Sequence, residues 1–323
     1  MSRTHLAVIG KLAVTALLIA LVWQGVEFHA VRARLDQLSP GLLAGAAGLI
    51  ALQVLGVVTW RWSKIVAVME RPAPPAQLLR IVIVALFFNQ VLPSTVGGDG
   101  MRIWLLHRLG WGIGVSARSV ILDRLLGLTA LTVLSLLGSL YLLVRMPDSA
   151  PVWAVAALST CAIAAVVGAP FLLRLFRRLP VEPIRRNLEV IATEVGQMWR
   201  DKGLMGRLLG ISLVGHLLMS AAIWLIALSL GIDLGIMDGL AVLPAVMLAS
   251  ALPISIAGWG VREGGMVVGL GLLAIDGSDA ALVSIFFGLL LLSLGLLGGA
   301  VWLVTRAPRP GSERKAPASP PSP

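Results

Sequence analysis

Six apolar stretches, each long enough to cross a lipid bilayer, constrain this chain more than any other feature of its sequence. They lie near residues 6–26, 41–60, 119–144, 151–173, 208–231 and 280–304. A helix needs about 20 apolar residues to cross the hydrocarbon core of a membrane. Of the 323 residues 58% are hydrophobic and only 13% are charged, which excludes a water-soluble globular domain. The sequence therefore predicts an all-α membrane protein with about six full transmembrane helices.

Two further apolar segments, at about 78–106 and 240–273, are each broken midway by proline, glycine and a charged residue. Broken backbone is not tolerated against lipid, because its unpaired amide groups cannot find hydrogen-bond partners there. We therefore expect both segments to be buried in protein or to line a wet cavity.

Charges between the spans predict the orientation of the chain. Basic residues concentrate after the second span, with Arg61, Lys64, Arg71 and Arg80, and again in the segments 174–207 and 306–315. Loops rich in arginine and lysine face the cytoplasm. This pattern is satisfied when both termini are cytoplasmic and each broken segment enters and leaves on one side. The segments are thus predicted to be re-entrant hairpins, the first entering from the cytoplasm and the second from the exterior.

The two broken segments also resemble each other. Residues 92–102 and 252–262 lie 160 positions apart, a spacing we call the repeat offset, and share leucine, proline, two glycines and arginine at matching places. The similarity of the two segments and their predicted entry from opposite sides of the membrane together predict an inverted repeat, as in many secondary transporters. Its halves are expected at about 6–144 and 151–305. We expect one transmembrane domain over 1–306, an amphipathic cytoplasmic insert at 174–207 and a disordered cytoplasmic tail at 307–323.

Charged residues beside the breaks are the candidate site. Asp99 and Arg102 belong to the first segment, Arg262 and Glu263 to the second, and Asp123 and Arg124 lie near the start of the next full span. Ionisable groups at membrane depth are costly, so they pair or line a water-filled path. The planar guanidinium of arginine holds two phosphate oxygens at once. We expect the arginines to contact an anionic lipid headgroup and the acids to orient them or relay protons; the alternative is that these charges only neutralise one another.

No motif in the sequence indicates a cofactor, a metal site or a catalytic set. The sequence has no P-loop, no HExxH pair and no nucleophile elbow. The net charge of +10 resides in loops between apolar spans rather than on one soluble face, which argues against nucleic-acid binding. We therefore predict no cofactor, no metal and no nucleic-acid partner, and the sequence leans away from an enzyme.

At the broken segments the chain resembles the membrane domain of lysylphosphatidylglycerol synthases, the multiple peptide resistance factor group, and their stand-alone flippase-like relatives. Two signatures carry the resemblance, and we take their residues as predicted substrate contacts: Asn89, Pro93, Gly97, Gly98, Asp99, Arg102 and Arg124 in the first, and Pro253, Gly258, Gly260, Arg262 and Glu263 in the second. The resemblance implies a lipid flippase-like domain. The soluble aminoacyl-transferase domain of the bifunctional relatives is expected to be missing.

Three functions follow as hypotheses. The first is a protein of the bacterial cytoplasmic (inner) membrane that translocates or binds a phospholipid or lipid-linked intermediate with an anionic headgroup. The second is a non-transporting accessory of a separately encoded envelope-lipid or glycan biosynthetic enzyme. The third is a membrane-embedded lipid-modifying transferase. Membrane lipids are the predicted partners in each case, and the sequence leaves the particular lipid and the oligomeric state open.

Overall fold

The computed structural model describes residues 32, 34–92, 97–176, 201–251 and 259–306, and every regular element in these ranges is helical. In chain order the helices are α1 (Pro40–Met69), α2 (Pro75–Val91), α3 (Gly97–Arg108), α4 (Ile113–Arg145), α5 (Ala150–Phe176), α6 (Lys202–Ser229), α7 (Ile236–Ser250), α8 (Val261–Gly271) and α9 (Gly277–Arg306). Prolines at the first turns of α1 and α2 suit positions where the missing N–H would have no helical partner.

Four of these helices, α1, α4, α6 and α9, are long and apolar enough to cross a membrane, and α2, α5 and α7 contain shorter apolar helical stretches. This architecture is that of a polytopic helical membrane protein. The predicted spans 41–60, 119–144, 208–231 and 280–304 fall largely within the four long helices, and 151–173 falls within α5. The predicted span 6–26, the insert residues 177–200 and the tail 307–323 lie outside the described residues.

Helix α1 continues well past the end of its predicted span, to Met69, and this corrects one sequence interpretation. Arg61, taken as a loop residue, lies within α1 and is only 7% exposed. The interior of α1 is a π-helical segment, Leu52–Val57, in which the N–H of Val58 donates to the carbonyl oxygen of Gln53. Such widened turns occur often at functional sites. Here the segment lies beside the cavity described below.

The spacing of the helices recurs along the chain. The bounds of α1 to α4, moved along the chain by the repeat offset, coincide with those of α6 to α9 to within four residues. In both halves the broken segment forms two short helices that pack on each other, α2 with α3 and α7 with α8. The breaks therefore lie where the sequence predicted them, although the connecting residues 93–96 and 252–258 fall outside the described ranges.

The two halves pack through their short helices. Helix α2 contacts α9 of the second half, and α7 contacts α4 of the first half. At each contact a glycine meets the backbone of the opposing helix: Gly298 faces Ile83, and Gly138 faces Ala241. A Cβ at either glycine would overlap the facing carbonyl oxygen. Because Gly138 and Gly298 are themselves separated by the repeat offset, equivalent close approaches join the halves twice.

Candidate functional site

A cavity of about 390 Å³ lies between the two halves, and it collects charged side chains from both of them. Four arginines and two aspartates line it: Arg61, Arg102, Arg124, Arg262, Asp99 and Asp123. Positive charge therefore exceeds negative charge among the described lining residues. Its other lining residues include the amide of Asn89 and the ring of His216.

Asp123 is the centre of the first cluster of charges. Its carboxylate accepts hydrogen bonds from Arg61 Nε at 2.6 Å and from Arg102 Nη2 at 2.9 Å. Asp123 is only 2% exposed, and a buried charge of this kind needs close partners to offset its lost hydration. One carboxylate here serves two guanidinium groups, so the trio keeps a net positive charge.

Asp99 belongs to the same cluster but pairs mainly with a different arginine. Arg124 Nε lies 2.7 Å from Asp99 Oδ2, whereas Arg102 Nη1 lies 3.8 Å from Asp99 Oδ1. Asp123, not Asp99, is therefore the closer partner of Arg102. Arg102 is thus paired with both aspartates, and Asp123 reaches it from a different helix.

Asn89 and Gly98 set the position of helix α3 relative to α2. The side-chain oxygen of Asn89, near the end of α2, accepts a hydrogen bond from the N–H of Gly98 at 2.9 Å. This bond satisfies one of the N–H groups that the first turn of a helix leaves without a partner. A Cβ at Gly97 would lie 2.7 Å from the Cβ of Leu92, so that glycine is required for close packing. These predicted residues act in the structure by orienting Asp99 and Arg102.

Arg102 also contacts an aromatic ring, and its Nε has no hydrogen-bond partner among the described residues. Its guanidinium carbon lies 4.3 Å from the centre of the Trp62 ring, a cation–π contact that holds the side chain on α1. Its Nε is buried and has no hydrogen-bond partner among the described residues. Buried N–H groups are nearly always paired in folded proteins. The Arg102 side chain lines the cavity, but this donor is itself enclosed by protein.

The second cluster is simpler: an arginine and a glutamate at the start of α8, with additional contacts from α9. Arg262 Nη2 lies 2.6 Å from Glu263 Oε1, and Arg262 Nε donates to the same oxygen and to Ser284 Oγ, each at 3.1 Å. The guanidinium is stacked near Trp259 at 4.7 Å and Phe287 at 5.5 Å. Arg262 is 5% exposed and lines the cavity, whereas Glu263 is not among the lining residues.

Gly260 shapes the start of α8. Its φ of 86° lies in the left-handed region that glycine tolerates without strain. Its N–H donates to Glu263 Oε2, so the carboxylate that holds Arg262 also caps the helix. Any side chain at Gly288 on α9 would overlap the Arg262 guanidinium. Gly260 thus supports the predicted pair Arg262 and Glu263 without lining the cavity.

The structure brings together most of the predicted site. Asn89, Asp99, Arg102, Arg124 and Arg262 line one cavity, and Gly97, Gly98, Gly260 and Glu263 support it. Pro93, Pro253 and Gly258 lie outside the described residues.

Sequence reasoning missed three side chains of the site: Gln53, Arg61 and Trp62. His216 Nε2 lies 2.9 Å from the carbonyl oxygen of Gly127 and so ties α6 to α4. The available signal for Arg61 was its position directly after a long apolar stretch, where one more turn of helix returns it to the protein interior.

An all-helical chain with several membrane-length apolar helices around a charged cavity is a multi-pass membrane protein. Residues 8–299 match the family described as the lysylphosphatidylglycerol synthase TM region, and the chain belongs to that family. The family resemblance expected from the two signatures is thereby confirmed. The chain has no significant match among curated proteins.

Proposed function

We propose that this protein binds a phospholipid or lipid-linked intermediate through an anionic headgroup in the central cavity and moves it across the membrane. The observation that carries the proposal is the cavity lining, in which four arginines face two aspartates and Arg102 and Arg262 come from opposite halves. Membership of a family associated with lipid handling supports the same function.

The chemistry of the cavity favours a phosphate. A cavity of about 390 Å³ is within the size range of small-ligand sites and is large enough for a headgroup. A phosphodiester carries one negative charge, which would offset half of the excess positive charge of the lining, four arginines against two aspartates. The guanidinium groups that line the cavity can donate charge-assisted hydrogen bonds to phosphate oxygens.

We further propose that α2–α3 and α7–α8 are re-entrant hairpins that enter from opposite sides of a bacterial cytoplasmic membrane, with both termini cytoplasmic. Helix α3 has 12 residues and α8 has 11, which at about 1.5 Å per residue is too short to cross about 30 Å of hydrocarbon. The recurrence of helix bounds at the repeat offset and the paired glycines Gly138 and Gly298 support an inverted repeat.

The function is tested by lipid transfer in proteoliposomes. We expect the full-length protein to move a fluorescent phosphatidylglycerol between leaflets, measured by a membrane-impermeant quencher, and Arg102→Gln to slow this transfer at least about tenfold, because losing one charge-assisted phosphate contact costs more than about 1.4 kcal/mol. Lys64→Gln is the matched control, since Lys64 is an exposed basic residue of α1 outside the cavity.

Each variant is first checked for wild-type elution and thermal unfolding in detergent, so that slow transfer is not mistaken for misfolding. Wild-type transfer rates in both Arg102→Gln and Arg262→Gln would overturn the anion site. Phosphatidylglycerol that binds to the protein without changing leaflet would instead favour the non-transporting accessory function.

The hairpin orientation is tested by cysteine labelling in a Cys161→Ser background, because Cys161 is the single native cysteine. Gln77 and Met237 are both exposed, begin the two hairpins and are separated by the repeat offset. We expect Gln77→Cys to react only from the cytoplasmic side and Met237→Cys only from the exterior. Labelling of both from the same side would contradict the inverted arrangement.

A further inference from the structure

Two lateral grooves flank the hairpins and share no described lining residue with the central cavity. The first, about 250 Å³, lies between α2, α3 and α9; we call it the arginine groove for its residues Arg80 and Arg108. The second, about 170 Å³, lies between α4, α5, α7 and α8; we call it the apolar groove, lined for example by Val152, Val242 and Leu272.

The two grooves occupy equivalent places in the repeated arrangement of helices. Five lining positions of the arginine groove have counterparts in the apolar groove at the repeat offset. The pairs are Ile81 with Ala241, Leu105 with Gly265, Arg108 with Val268, Leu109 with Gly269, and Trp302 with Leu142. The grooves are therefore two versions of one structural feature, and their chemical differences are specific to each half.

Those differences concern charge. The arginine groove is lined by two arginines together with the polar side chains of Gln77 and Thr305, and it contains no carboxylate among its described residues. The described lining of the apolar groove has no charged side chain, and Ser139 is its one polar side chain. At the equivalent position, Arg108 of the first groove is replaced by Val268.

The two arginines of the arginine groove use few of their N–H donors in contacts with the protein. Arg80 Nη2 donates to the carbonyl oxygen of Thr305 at 3.4 Å, near the end of α9. The Arg108 guanidinium lies 4.9 Å from the centre of the Trp104 ring. Both side chains are exposed, and a guanidinium has five N–H donors. Each arginine thus has donors left for an anion in the groove.

One aromatic ring, that of Trp302, lines this groove, and two further rings hold it in place. Trp302 contacts Phe88 and Trp104 edge to face, with centroid distances of 5.6 and 5.9 Å. The start of α2 and the ends of α3 and α9 meet here, so the groove lies at the level where these helices terminate. Tryptophan and arginine together are typical of the boundary between lipid and water.

We propose that the arginine groove is a second lipid site, which binds the phosphate of an anionic phospholipid at the membrane surface, while the apolar groove does not. Arg80 and Arg108 contact the headgroup phosphate, and the apolar residues Leu105, Leu109 and Trp302 contact the upper parts of the acyl chains. Basic pockets between transmembrane helices recognise anionic headgroups in this way. The site is separate from the central cavity and does not depend on transport.

The test is native mass spectrometry of the purified full-length protein titrated with phosphatidylglycerol or with phosphatidylcholine of the same acyl chains. We expect Arg80→Gln/Arg108→Gln to bind one fewer phosphatidylglycerol, with the affinity of that lipid lowered at least about tenfold, because two charge-assisted contacts to the phosphate are lost. The matched control is Lys64→Gln/Lys202→Gln, which removes two exposed charges outside both cavities and should bind like the wild type.

Two comparisons separate this site from the central one. Arg102→Gln should keep the groove lipid, and the groove variant should keep transfer between leaflets if the central cavity performs it. Arg80→Lys/Arg108→Lys, which retains the charges, should bind phosphatidylglycerol nearly as well as the wild type and serves as the reference if the glutamine variant unfolds.

Unchanged phosphatidylglycerol occupancy in Arg80→Gln/Arg108→Gln would overturn the proposal. An equal loss of phosphatidylglycerol in the control Lys64→Gln/Lys202→Gln would overturn it as well. Equal binding of phosphatidylcholine would show that the groove does not select anionic lipids. Displacement of the lipid by millimolar inorganic phosphate would assign the arginines to free phosphate instead of a phospholipid.

Discussion

Arg102 and Arg262 occupy equivalent positions in the two halves, separated by the repeat offset, but the protein holds them in different ways. Arg102 of α3 is paired with Asp123 of α4 and stacked on Trp62 of α1, so its position depends on the packing of three helices. Arg262 is paired with the adjacent residue, Glu263, within the first turn of α8. The same side chain is therefore fixed by tertiary contacts in one half and mainly by local contacts in the other.

The residues around each arginine explain this difference. At the repeat offset, Asp99 corresponds to Trp259, Asp123 to Val283, Arg124 to Ser284 and Arg61 to Ala221. The second half thus lacks the distributed charges of the first and uses aromatic rings and one glutamate instead. As a result the first cluster keeps a positive excess and an unpaired donor on Arg102, whereas Arg262 Nε makes two hydrogen bonds.

The largest expected effect on stability comes from replacing charged residues of the first half by the uncharged residues found at the equivalent positions of the second half. Asp123→Val should lower the free energy of unfolding by about 3–5 kcal/mol, because it leaves two buried arginines without their shared carboxylate. Adding Arg61→Ala to it should recover part of that loss, since one unpaired buried charge is removed with its partner. Chemical unfolding in detergent measures both. A double variant that costs as much as the two single changes together would mean that Arg61 and Asp123 are not coupled.

A smaller effect is expected where the halves are most alike. Gly138→Ala and Gly298→Ala should each cost about 1–3 kcal/mol, because the new methyl group overlaps a backbone carbonyl that cannot move aside. Gly210→Ala, with no atom within 4 Å of the added Cβ, is the control and should be neutral or slightly stabilising. Thermal unfolding of the three variants is the measurement. Clearly unequal losses at the two glycines would show that the interfaces between the halves are not equivalent.

The smallest effect is expected from removing the hydrogen bonds of Ser284 to Arg262 and Glu263 in the second half. Ser284→Ala removes the hydroxyl that donates to Glu263 Oε1 and accepts from Arg262 Nε, and it should cost about 1 kcal/mol. Ser293→Ala, on the same helix and bonded only to a backbone carbonyl, should change the unfolding free energy by less than about 0.5 kcal/mol. Equal values for the two variants would indicate that Ser284 does not contribute to holding Arg262.

Much of this molecule is readable from its sequence because hydropathy and breaks are local properties. Apolar length predicted the long helices α1, α4, α6 and α9, and Pro and Gly within apolar segments predicted where α2 and α7 end. Because a charged group facing lipid is energetically costly, Asp99, Arg102, Arg262 and Glu263 were expected in the protein interior. The structure places all four in buried positions. The match of residues 92–102 with 252–262 indicated the repeat offset that the helix bounds follow.

What only the tertiary structure decided is which charges share a partner and which surfaces come together. A hydropathy profile ends a span at residue 60 and assigns Arg61 to a loop, but packing against α4 and α6 pulls its guanidinium inward to Asp123 and Ser212. The equivalence of the two lateral grooves is likewise invisible in the sequence, because each groove is assembled from helices of both halves. Local free energies determine where helices form, whereas partners as distant in the chain as Arg61 and Asp123 are chosen by the packing of those helices.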